Sequence, residues 1–208
     1  MNSENSEKKH MYDSQVDIAK KLLKEKYNEE FEVTEIGQRY GTLNNDTFTA
    51  ICYPKNNKTV FFNAEISKEG EFLEDNYLSR IVCEELTTKV SYALNKSSVT
   101  ASVLIVSRPD LIEGTNASVD ANDIINSSKE IDFVVYIVKG SSASDEEALD
   151  AVKSIKSEYI KFGGECRIYT SENNDDIAHF AELVSEDKTF TSDMRTLLAD
   201  CKEIDYQF

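Results

Sequence analysis

Thr47–Tyr53 (TFTAICY), the turn Pro54-Lys55-Asn56-Asn57 and Thr59–Ile66 (TVFFNAEI) decide the fold class. The outer stretches are rich in β-branched and aromatic residues, and the stretch between them holds turn formers. They read as two neighbouring strands. Upstream, Phe31, Val33 and Glu35 alternate with Glu32 and Thr34, so a strand starts there, and Ile36-Gly37 breaks the alternation as a bulge would. Tyr40–Asp46 is the turn between these strands, and Glu69-Gly70 ends the third. Three strands in sequence with short links predict an antiparallel meander.

Helical patterns flank the meander. Val16, Ala19, Leu22, Leu23 and Tyr27 fall at helical spacing in Tyr12–Tyr27. Asp13 or Ser14 suits its N-cap, and Asn28, which tolerates left-handed geometry, closes it. A second helix is predicted from about Asp75 to Leu94, with Tyr77, Leu78, Ile81, Val82, Leu86, Val90 and Leu94 as its stripe. Sheets of this kind bury one face under a helix and leave the other to water or a partner.

The second half alternates. Thr100–Val106 (TASVLIV) reads as a buried strand, Ser107–Asn116 as a loop and Val119–Ser127 as a short helix. Ile131–Val138 (IDFVVYIV) is the most apolar segment and reads as a central strand. Ser144 or Asp145 caps a helix through about Phe162, stopped by Gly163-Gly164. A strand at Cys166–Tyr169 and helices at Asn173–Val184 and Ser192–Cys201 complete the chain. The expected class is α+β, a helix–meander–helix module followed by a mixed α/β half. Strand–helix–strand alternation predicts some parallel pairing there.

Composition bounds the function. The 208 residues hold 23 Lys+Arg against 39 Asp+Glu, a net charge of −16. Phosphate neutralisation needs an excess of basic residues, so nucleic acid is not an expected partner, and neither is an anionic membrane surface. No stretch approaches 18 consecutive apolar residues, so no segment reads as membrane-spanning. The charge is uneven: residues 1–98 carry 13 basic and 17 acidic groups, and residues 99–208 carry 10 and 22. The expected organisation is therefore a flexible tail over 1–11, a module over 12–98, and an acidic module over 99–208 packed on it, joined near Asn95–Ser98. Met1–His10 has no apolar core of a signal peptide. It reads as a frayed cytoplasmic terminus or as a tether.

A set of turn and strand residues carries a resemblance. Glu25–Phe31 (EKYNEEF), Tyr40-Gly41-Thr42-Leu43, Thr47-Phe48-Thr49-Ala50, Tyr53-Pro54-Lys55 and Asp75-Asn76-Tyr77 form the pattern. Over about residues 14–95 the chain is similar to a group of uncharacterised proteins from Gram-positive gut Firmicutes, several of which resemble lipoprotein ectodomains. The resemblance implies an extracytoplasmic, membrane-tethered setting, transfers no catalytic residue, and does not reach the acidic half. The chain departs from it in having four cysteines and no visible lipobox.

Side chains that could do chemistry are sparse. Cys52, Cys83, Cys166 and Cys201 include no CxxC pair, so neither a zinc ribbon nor a thioredoxin motif is present, and buried free thiols are expected. His179 lies beside Asp175 and Asp176 at helical spacing, where solvation is the ordinary outcome and metal binding the rare one. Nothing in the spacing brings His179 to Cys166 as a nucleophile pair. Asp120-Ala121-Asn122-Asp123 opens like a calcium loop, but Ile124, Ile125 and Ile131 fill positions that need a polar ligand, glycine and glutamate. There is no Walker A or GxGxxG sequence. The Asn-X-Ser/Thr triplets at Asn45, Asn57, Asn95, Asn116 and Asn126 are incidental to an asparagine-rich chain. No catalytic, cofactor-binding or metal-binding residue is assigned.

The sequence thus favours a non-enzymatic binding module with a basic protein partner that docks near Asp145–Asp150 or Asp175–Glu186. The alternatives are an acidic cytoplasmic immunity-type protein that neutralises a basic toxin, and a hydrolase that works through carboxylates alone.

Overall fold

A computed structural model describes residues 13–37, 46–67, 69–108, 112, 121–127, 131–159, 162–186 and 188–208. The tail expected over 1–11, most of the turn at 40–46 and most of the loop at 107–116 lie outside them. The described residues form two compact units divided between Arg80 and Ile81.

In the first unit, helix α1 (Asp13–Tyr27) leads into strands β1 (Phe31–Gly37), β2 (Thr47–Pro54), β3 (Phe62–Ser67) and β4 (Phe72–Asp75). They form one antiparallel sheet in the order β1-β2-β3-β4. The expected helix and meander are present. Asn28 ends α1 in the left-handed conformation, φ 54°, and its N–H donates to the Lys24 carbonyl at 2.8 Å.

Three details differ from the expectation. The bulge lies at Thr34, not Ile36-Gly37: pairing slips between Val33 and Glu35, and the Thr34 hydroxyl donates to the Ile51 carbonyl at 3.1 Å. The third strand starts at Phe62 because the Asn57 carboxamide accepts from the Thr59 N–H and hydroxyl, curling Thr59–Phe61 into a turn. A fourth strand extends the meander, where the sequence shows only the approach to a helix.

The core of this unit is aromatic. Tyr27, Phe31, Phe62 and Tyr77 pack with ring centroids 4.7–6.1 Å apart. The buried Asp75 carboxylate anchors them. It accepts from the Tyr27 hydroxyl at 2.8 Å, from Lys26 at 2.9 Å and from the Tyr77 N–H at 2.9 Å. Burial, then the Asp75 charge, pushes the Tyr27 phenol far above its ordinary pKa, so it stays a donor.

Helix α2 (Tyr77–Lys96) begins in the first unit and continues in the second. There follow β5 (Ala101–Arg108), α3 (Ala121–Ser127), β6 (Asp132–Gly140), α4 (Asp145–Lys156), β7 (Gly164–Ser171), α5 (Asn174–Glu186), α6 (Ser192–Leu197) and β8 (Lys202–Gln207). The second sheet has the order β5-β6-β7-β8; β6 and β7 are parallel and the outer pairs antiparallel. The central strand and the parallel pairing are as expected. β6 is buried on both faces. Val134, Tyr136 and Val138 face Ile177, Phe180 and Val184 of α5, with Met194 and Leu198 nearby. Phe133, on the other face, meets Phe162 at a centroid distance of 5.2 Å.

Two expectations here are corrected. Helix α4 ends at Lys156 with Ser157 as its cap, before the expected Phe162. Gly163-Gly164 is therefore no helix stop: Gly164 opens β7 and Gly163 leads into it. Gly164 has φ 133°, and a Cβ on it would lie 2.0 Å from the Phe133 carbonyl oxygen. Its N–H and C=O both pair with Phe208. The final strand β8 was not foreseen either, because Lys202–Gln207 (KEIDYQ) is half charged.

This close approach gives a sharp contrast. Gly164→Ala should cost more than about 2 kcal/mol in urea unfolding, from positive φ and collision with backbone. Gly163→Ala, whose Cβ would sit an ordinary 3.5 Å from the Phe208 oxygen, should cost less than about 1 kcal/mol.

Candidate functional site

The polar groups of the second unit collect at the carboxyl ends of β6 and β7. Lys139, the penultimate residue of β6, is 1% exposed. Its ammonium lies 2.9 Å from an Asp145 oxygen and donates to the Ala143 carbonyl at 2.7 Å. Asp145, first residue of α4, also accepts from Thr170 at 3.4 Å and Lys202 at 3.5 Å. One carboxylate thus ties together the ends of three strands. The hydrogen bond from Lys139 holds its pKa below the usual carboxylate range. Beside it, Ser144 caps α4 and exchanges hydrogen bonds with Glu147 in a capping box. At the end of β7, Ser171 donates to Asp176 and accepts from the Asn173 N–H. These groups satisfy one another and close the loops.

A groove of about 480 Å³ opens beside this cluster. Thr100, Ala101, Ser102 and Val103 line one wall, Asn174, Ala178, Ala181 and Ser185 of α5 another, with Ser91 of α2 alongside. Lys188, which also lines it, is 3.7 Å from Glu84. Side chains on one face of a strand recur at every second residue. Four consecutive residues of the β5 segment line the groove, so the edge of the strand lies open there, not a face.

The direction of the main-chain groups follows from one hydrogen bond. The Gly140 N–H donates to the Thr100 carbonyl, which turns Thr100 toward β6. In an antiparallel pair, successive residues point alternately toward and away from the partner strand. Ala101 and Val103 therefore present their N–H and C=O groups away from β6, into the groove.

The helical wall is graded. Each residue turns about 100° around the axis. Ile177, Phe180 and Val184 are buried in the core, whereas Ala178, Ala181 and Ser185 are exposed on the groove side. Asp175, Glu182 and Glu186 lie one step beyond and form an exposed acidic rim.

The other residues considered from sequence are dispersed. Cys166 is buried in β7, and burial pushes its thiol pKa up to about 12, as it does for Cys52. His179 is exposed on α5, and Asp176 is engaged by Ser171. Among the described residues, no three His, Cys, Asp or Glu side chains are placed to hold a metal. Cys52, Cys83, Cys166 and Cys201 are all free thiols; Cys201 is only half-buried. Asp120 lies outside the described residues, and Asp123 is in α3. Sequence reasoning missed the groove. The available signal was Ala178, Ala181 and Ser185, small residues at helical spacing immediately beside the apolar stripe of α5.

No protein-family model matches the chain, and no curated protein does. Its fold is similar to the crystal structure of a DUF5037 family protein from Ruminococcus gnavus ATCC 29149, with a TM-score of 0.58. The two are 15% identical, over 91% of this chain and 89% of that one. At that identity the likeness is one of fold.

The Lys139–Asp145 pair sets an acid limit. A carboxylate with a lowered folded pKa contributes stability above its unfolded value of about 3.9, and the contribution is lost as pH falls through the folded value. Asp145→Asn should lower stability by roughly 1–3 kcal/mol at pH 7, and the gap to wild type should shrink when urea unfolding is repeated near pH 3.

Proposed function

We propose that the protein is a non-enzymatic binding module that holds a basic protein partner against its second unit. One observation carries this reading: a groove floored by small side chains and an open strand edge, with an acidic rim along its outer side. Such a rim attracts lysine and arginine side chains and speeds encounter. Of the two docking regions considered from sequence, the groove favours Asp175–Glu186. Asp145 and Glu147 are engaged by Lys139, Lys202 and the α4 cap, whereas Asp175, Glu182 and Glu186 stand exposed. A surface-tethered location, as the sequence resemblance implies, is part of the same proposal.

Selection of displayed ten-residue peptides against the protein tests it. Binders should be enriched in Lys and Arg and compete for one site. Ala181→Arg, which fills the groove from an exposed position, should weaken them at least tenfold. Raising salt from about 20 to 500 mM should slow association several-fold, because the screening length falls below 10 Å, and Glu182→Lys/Glu186→Lys should remove most of that dependence. Binders without basic enrichment, or indifferent to Ala181→Arg, would overturn the reading.

A further inference from the structure

The edges of the two sheets are not alike. β4 has four residues and a register slip at Leu73. β1 is broken by the Thr34 bulge and carries Glu32 and Glu35. β8 carries Lys202, Glu203 and Asp205. Short length, bulges and charges are the devices by which proteins blunt a strand edge that would otherwise recruit another strand. β5 has none of them over Ala101–Ser107: no proline, no charge and no slip against β6. It is also the edge strand that borders the groove.

We infer that the bound segment is an extended stretch of the basic partner, added to β5 as a fifth strand through the outward N–H and C=O groups of Ala101 and Val103. This rests on the groove being the binding site. In such additions main-chain hydrogen bonds supply affinity, and the alternating side chains supply specificity. Side chains of the added strand that point to the α5 wall meet Ala178, Ala181 and Ser185, where β-branched or larger apolar groups have room. Acidic residues flank that wall on its solvent side, so basic residues near the α5 rim fit best. The same charge disfavours a second copy of this chain: two β5 edges brought together would carry net charges of −16 each and two acidic rims.

Proline separates this mode from other uses of the groove. The Ala101 and Val103 amides point away from β6, so Ala101→Pro and Val103→Pro each delete a donor to the added strand and spare the ladder to β6. Edge positions tolerate such changes. Ser102→Pro deletes a ladder bond and serves as the destabilised control. With a lysine-containing peptide from the selection as probe, both outward variants should lose at least tenfold in affinity while keeping wild-type circular dichroism. In the wild type, peptide should slow hydrogen exchange at the Ala101 and Val103 amides, with little change at Ser102 and Leu104. Should the proline variants misfold, N-methylation of alternate peptide amides gives the same reading on unaltered protein, with loss of binding at every second position. Binding that Ala181→Arg abolishes but that ignores both the prolines and N-methylation would leave the groove as the site and overturn strand addition. Absence of any basic binder would overturn both. Concentration-dependent dimers by sedimentation, abolished by Val103→Pro, would assign the edge to a second copy instead.

Discussion

A strand buried on both faces constrains everything around it, and β6 is that strand. Its six apolar side chains from Phe133 to Val138 are all buried, worth about 1.5–3 kcal/mol each on transfer from water. Burial on both faces demands cover on both. Helices α5 and α6 cover Val134, Tyr136 and Val138, and the segment that leaves α4 brings Phe162 against Phe133. β6 also needs a strand on each side to satisfy its main chain, since unpaired buried amides are costly. β5 and β7 fill those places. The return through α4 makes β7 parallel, and Gly164 lets it approach Phe133 closely enough to pair.

The cost of so apolar a strand appears where it ends. Lys139 lies within the buried run, and a buried ammonium is tolerable only with a partner. The start of α4 supplies one in Asp145 together with the Ala143 carbonyl. The carboxylate gains in turn from a position at a helix N-terminus. Asp75 plays the corresponding part in the first unit, buried among rings and held by Lys26 and Tyr27. Both carboxylates sit where a strand gives way to a helix: Asp75 satisfies an orphan N–H of its helix, that of Tyr77, whereas Asp145 neutralises the buried Lys139 and leaves the capping of its helix to Ser144.

The architecture was legible wherever pattern and length agreed. Thr47–Tyr53 and Thr59–Ile66 are rich in β-branched and aromatic residues around a cluster of turn formers, and Phe133–Val138 is an unbroken apolar run, so the meander and the central strand followed from composition and length. Asn28 and Ser144 were readable as caps because each has a local mechanism. Elements set by distant contacts were not legible. β4 is four residues long, and β8 has a half-charged sequence whose strand character comes from pairing with β7. Gly163-Gly164 offers two local meanings, and only the carbonyl of Phe133, some thirty residues away, selects between them. The groove was hidden for a related reason: an open edge is a property of strand order, and strand order is absent from any single segment.

The acidic excess of the second half takes on a more specific meaning once strand order is known. Charge spread evenly over a surface keeps a protein soluble. Here part of it serves the fold: Asp145, Glu147 and Asp176 are bound to Lys139, Ser144 and Ser171. What is left on α5 stands one helical step outside a stripe of alanine and serine. Small residues on that stripe leave room against the strand, and the acidic residues stay at the margin where their solvation is kept. Bulky or charged side chains at Ala178 and Ala181 would have covered the β5 edge and removed the hazard of an uncharged, unbulged strand. The helix instead leaves that edge open and sets negative charge along one margin of it, the arrangement on which the proposed docking of an extended basic chain rests.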